Sequence, residues 1–171
     1  MNRTLLIVLA SLFAGAFALQ AQSNALSSEI KQSYKSVKNN LLKAAEKMPE
    51  ENYSFQPVPE IRTFGALVAH IADAQTRFCT VAMGEPKTPS AGSKKTKADL
   101  VAALKESIAD CDKAFEELTD AAATQMVKMG RNESTKMGAL VRNVIHDNEE
   151  YGYLAVYLRL KNIVPPSSEG R

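Results

Sequence analysis

Apolar residues recur three and four positions apart over four stretches of the chain, the period of an amphipathic helix, and no strand-like alternation competes with them. In the first stretch Ile30, Tyr34, Val37, Leu41, Ala45 and Met48 share a face, and Pro49 stops the pattern. The second opens at Thr63, a good helix N-cap, carries Leu67, Ile71, Ala74, Phe78 and Val81, and ends at Gly84. The third begins at Thr96-Lys97-Ala98-Asp99, which resembles a capping box, and runs through Leu100, Leu104, Ile108, Cys111, Phe115 and Leu118. QMVKMGRNES reads as a short irregular piece. The fourth stretch spans about Ser134 to Leu160, with Leu140, Val144, Leu154 and Leu158 as its aliphatic stripe. Pro165-Pro166 ends regular structure. Four amphipathic helices of this length predict an all-α fold, a four-helix bundle.

The two cysteines add topology. Cys79 lies sixteen residues after Thr63, and Cys111 fifteen after Thr96. With a rise of about 1.5 Å per residue they stand at one height only if the second and third helices run parallel. A disulfide needs Cα atoms about 4.4–6.8 Å apart, which antiparallel helices would not give here. The twelve residues from Gly84 to Lys95 can reach roughly 40 Å, enough for the return crossover. A Cys79–Cys111 disulfide therefore predicts an up-down-down-up bundle; two separate buried thiols are the alternative.

An oxidising compartment would favour that pairing, and the N-terminus points to one. MNRTLLIVLASLFAGAFALQAQS has one positive charge, an apolar run and small residues at Ala16, Ala18 and Ala21. This is the layout of a secretory signal peptide, residues 1–21, cleaved after Ala18 or Ala21. The run is short of the ~20 residues a spanning helix needs. The expectation is a secreted or periplasmic protein with no stable membrane insertion after cleavage and one domain over residues 22–171. Net charge is 21 − 19 = +2, or 20 − 19 = +1 without Arg3. That is too little to neutralise phosphates, so nucleic acid is not an expected partner.

The chain has two histidines. His146 and Glu150 are four apart and share a helix face. Asn143, Tyr153 and Tyr157 lie on or beside it, away from the aliphatic stripe. His70 sits at the edge of the second helix's apolar face, opposite Cys79. Two histidines and a carboxylate make a legal three-ligand metal site with an open position. The same spacing also describes a plain His146–Glu150 pair with His70 buried elsewhere.

Two stretches, PEENYSFQPVPEIRTFGALVAHIADA and VIHDNEEYGYLAVYLRLKNIVPPSS, resemble the DinB-like superfamily of four-helix bundles. The likeness extends over essentially all of the mature chain. It implies an up-down-down-up fold. It also implies a divalent ion, often zinc or nickel, held by one histidine of the second helix and two of the fourth at His-x-x-x-His spacing. Carried over, the first is His70 and the second His146, with Glu150 standing where the third histidine would be. A carboxylate oxygen there shifts the preference toward manganese or iron, with zinc still admissible.

The resemblance implies a divalent-metal-dependent enzyme of hydrolase or transferase type acting on an unknown small-molecule substrate. Asp147 or Glu149 would be the base, and Tyr153 or Tyr157 a hydrogen-bond donor. Asp73 and Asn143 are candidates to hold the ligand histidines from behind. Some relatives use the thiols mycothiol or bacillithiol, cytosolic cofactors that an exported protein would not meet. The alternatives are a non-catalytic small-ligand or metal-binding bundle and a structural bundle with a vestigial site. A homodimer is compatible with the pattern.

Overall fold

The computed structural model describes residues 24–170. The expected signal peptide and its cleavage point lie outside them. Helix α1 (Ala25–Lys47) buries Tyr34, Val37, Leu41, Ala44 and Ala45. Its first amides are capped from a distance: Asp120 accepts from Ser27 N at 2.7 Å and Leu26 N at 3.2 Å. The Lys97 ammonium closes the other end on the carbonyls of Glu46 and Met48. Helix α2 (Phe64–Met83) starts at Thr63, whose hydroxyl accepts from Ala66 N, and ends at Gly84 in the left-handed region at φ 80°. Helix α3 (Lys97–Glu117) starts at Thr96, which accepts from Asp99 N. The Asp99 carboxylate bonds the Thr96 hydroxyl, so only half of the expected box forms. A short helix α4 (Asp120–Ala123) follows.

The stretch expected to be irregular is a hairpin, β1 (Met126–Met129) against β2 (Asn132–Thr135), with Met129 opposite Asn132. Gly130 and Arg131 form its two-residue loop, and Gly130 takes the positive φ (63°) that such a loop demands. The signal was present in Met-Gly-Arg-Asn, but strands of four residues are too short for alternation to show. Helix α5 (Lys136–Leu160) begins at the Thr135 cap.

Residue contacts fix the directions. Gly65 meets Leu100, Gln75 meets Ser107 and Cys79 meets Cys111, so α2 and α3 rise together and are parallel. Along α5 the order reverses, with Cys79 by Asn143, Gln75 by Asp147 and His70 by Glu150. Along α1 and α3 it reverses too, with Lys31 by Glu116 and Lys38 by Asp112. The bundle is up-down-down-up. Cys79 and Cys111 are disulfide-bonded, with Cα atoms 4.9 Å apart.

The core has two apolar clusters. One gathers Leu41, Phe64, Ile71, Leu104, Leu154 and Leu158; the other gathers the disulfide, Phe115, Leu140 and Val144. Between them lies a layer of buried polar side chains, Gln75, Ser107, Asn143, Asp147 and Glu150. This layer sets the height of the candidate site. The first cluster is closed at Gly65, where an added Cβ would stand 3.2 Å from both the Tyr53 ring and the Tyr53 carbonyl oxygen, and 3.3 Å from Leu100. Tyr53 cannot give way, because its carbonyl accepts from Gly65 N and its hydroxyl donates to the Ala45 carbonyl. Gly65→Ala should therefore destabilise by about 1–2 kcal/mol through overpacking, despite the usual helix gain of roughly 0.5–1 kcal/mol. A urea midpoint at or above that of the wild type would contradict it.

Candidate metal centre

His70 reaches the polar layer from the middle of α2, and His146 and Glu150 from successive turns of α5. The two Nε2 atoms are 3.2 Å apart. Glu150 Oε1 is 3.4 Å from His70 Nε2 and 3.5 Å from His146 Nε2. The structure thus brings together all three residues expected from the sequence. Ligand atoms bonded at about 2.0–2.1 Å to one tetrahedral ion lie about 3.3–3.4 Å apart, which is the size of this triangle.

The surroundings fit a cation as well. Glu150 is 6% exposed, and its Oε2 has no hydrogen-bond partner among the described residues. An ionised carboxylate buried in that way is costly unless a positive charge compensates it. Burial, and next the charge of the Arg62 guanidinium, lowers the His70 pKa. That shift favours the neutral ring, the form that ligates metals. Phe78 packs against the His146 ring in a T-shaped contact, with centroids 5.9 Å apart.

Behind His146 the arrangement differs from the expected one. Asp147, expected as a base, is fully buried. Its Oδ1 faces His146 Nδ1 at 3.7 Å, too far for a direct hydrogen bond, and neither atom has a hydrogen-bond partner among the described residues. Its Oδ2 accepts from Gln75 Nε2 at 2.9 Å and Asn143 Nδ2 at 3.0 Å. Gln75 Oε1 in turn accepts from the Ser107 hydroxyl at 2.8 Å. Burial raises the Asp147 carboxyl pKa, while the His146 ring and the Gln75 and Asn143 amides pull it down. Asp147 therefore lies behind the histidine, where burial keeps it from a substrate.

The other expected supports fall elsewhere. Asp73 accepts from the amides of Ala91 and Gly92 in the crossover, and Asn143 acts only through Asp147. Gln75 and Ser107 did not stand out in the sequence. Glu149, the other expected base, is exposed and accepts from the Tyr153 hydroxyl at 3.2 Å. The Tyr157 hydroxyl already donates to the Arg62 carbonyl at 2.5 Å.

The centre has a cleft on each flank. One, of about 600 Å³, is lined by Glu60, Ile61, Arg62, Leu67, Glu150, Tyr153 and Tyr157. The other, about 570 Å³, runs along the crossover past His70, Asp73 and Lys94. No helix among the described residues is long and apolar enough to cross a membrane.

Comparison with known proteins agrees with this architecture. Among solved structures, a DinB-like protein from Bacillus cereus superposes with a TM-score of 0.70 at 16% identity, over 80% of this chain and 93% of its own. A DinB-like protein from Bacillus subtilis gives 0.66 at 21% identity, over 84% and 99%. A mycothiol-dependent maleylpyruvate isomerase gives 0.59 at 15% identity, over 71% of this chain and 59% of its own. At these identities the likeness is one of fold. No curated protein matches the sequence. The sequence model of the DinB superfamily matches residues 33–154, a span that contains both histidines, Glu150 and the polar layer, and the chain belongs to that superfamily.

Proposed function

We propose that His70, His146 and Glu150 hold one divalent cation, and that the protein is an exported metal-dependent enzyme of hydrolase or transferase type acting on a small molecule. The observation that carries this reading is the triangle of donor atoms, 3.2, 3.4 and 3.5 Å on its sides. Three protein ligands leave a further position free, as catalytic sites do. The bound ion would supply Lewis-acid activation of a water or a substrate oxygen.

The residues of the chain do the rest. His70 and His146 offer Nε2, Glu150 supplies the compensating negative charge, and Phe78 packs against the His146 ring. The disulfide supports export, since such bonds persist in oxidising compartments. For that reason no cytosolic thiol cofactor is proposed, although one structural relative is mycothiol-dependent. A second reading, a binding protein without catalysis, draws on the positions of Asp147 and Glu149, which leave the cleft without either expected base.

The test is metal content after incubation with zinc, manganese, nickel and iron(II). One equivalent is expected, and a protein that retains none of them is not a metalloprotein of this kind. The same assay checks Asp147. Asp147→Asn should weaken metal binding roughly 10–100-fold, the usual cost of losing the partner that orients a ligand histidine. The metal-free variant should melt where the metal-free wild type does, because the amide oxygen can still accept from Gln75 and Asn143. Unchanged affinity would remove Asp147 from this role.

A further inference from the structure

We propose that the cleft beside Glu150 takes a small carboxylate with an alkyl or aryl body, its carboxylate held by Arg62 and its body lying on Ile61, Leu67 and Tyr153. This rests on the metal reading above and names the class of substrate for that site.

The segment that carries Arg62 is braced. Gln56 Nε2 donates to the carbonyls of Pro59 and Ile61, and the Tyr157 hydroxyl holds the Arg62 carbonyl. The Arg62 side chain makes no ion pair among the described residues, although it lines one cleft with Glu60 and Glu150. With a divalent cation in place the cleft carries Arg62 and the ion against Glu60 and Glu150, a net charge of +1. An anion is the ligand such a cleft attracts, and a planar guanidinium matches a carboxylate with two parallel bonds.

The walls specify the rest of the molecule. Ile61 is 42% exposed and Tyr153 50% exposed, and buried Leu67 adds apolar surface to the same cleft. A volume of about 600 Å³ suits a small molecule. A neutral ligand would leave the Arg62 charge unused, and a cation would meet repulsion from both Arg62 and the ion.

Zinc-loaded protein can be titrated with phenylacetate and with its neutral counterpart phenylacetamide. The wild type should prefer phenylacetate by roughly tenfold or more, the worth of hydrogen bonds to a charged group. Arg62→Gln should abolish the preference, Arg62→Lys should keep part of it, and Glu60→Gln should enlarge it. Zinc stoichiometry measured on the same samples separates the two readings. A wild type without zinc overturns the metal site and this inference with it. A zinc-loaded wild type with no preference, or a preference that survives Arg62→Gln, overturns this inference alone.

Discussion

Glu150→Ala is expected to strip the protein of its divalent cation, with a loss of affinity beyond the roughly 10–100-fold that an outer-shell change costs. Glu150→His is expected to retain the cation. The carboxylate supplies one of three donor atoms and the only formal negative charge among them. Without it two neutral imidazoles remain, 3.2 Å apart, and two ligands from separate helices make a weak site. An imidazole at position 150 restores the third donor on the same helix face.

Loss of metal by misfolding is the trivial alternative, and the sign of the stability change tests it. Glu150 is buried with one oxygen unpartnered, so without metal its charge costs more than it returns. Metal-free Glu150→Ala should melt no lower than the metal-free wild type. Metal content after dialysis and competition with a chromophoric chelator read out the affinity. If the alanine variant holds zinc as tightly as the wild type, Glu150 is no ligand.

The amphipathic stripes, their caps and the cysteine heights were enough to read the up-down-down-up order, because each depends on local spacing or on a single geometric constraint. The convergence of His70 with His146 and Glu150 follows from the same register once α2 and α5 are antiparallel. What escaped is the support behind the site. Gln75 and Ser107 each stand four residues before a cysteine. On a helix that places them on the cysteines' own stripe, at one height and facing each other, as they are found. The cysteine register thus already contained this pair, but a lone glutamine or serine on an apolar helix carries no chemical signature. Asp147 and Glu149, the two candidate bases, part for a physical reason: residues two apart on a helix point about 200° from one another. Asp147 therefore enters the core while Glu149 stays in solvent.

Breaking the Cys79–Cys111 bond should lower stability by about 3–4 kcal/mol, the chain-entropy value for a loop of this length. The two residues are separated by 32 positions. For a chain of this size the loss corresponds to a fall in melting temperature of roughly 10 °C. Reduced wild type and the double variant Cys79→Ala/Cys111→Ala should both show it. The single variant Cys79→Ala should fall about as far, since it also breaks the crosslink. Thiol counting before and after reduction establishes that the bond was present and has been opened. A reduced protein that melts with the oxidised one would show that the crosslink does not stabilise the bundle. The loss should also be local at first. Asn143 Oδ1 lies 3.6 and 3.7 Å from the two sulfurs, and Cys111 Sγ lies 3.6 Å from the Gln75 carbonyl oxygen, so the bond sits against the two residues that hold Asp147. Amides of α2 and α3 near Gln75, Cys79, Ser107 and Cys111 should exchange faster in the reduced protein before the far ends of those helices do. Uniform acceleration along both helices would instead mean that the crosslink acts only on the unfolded chain.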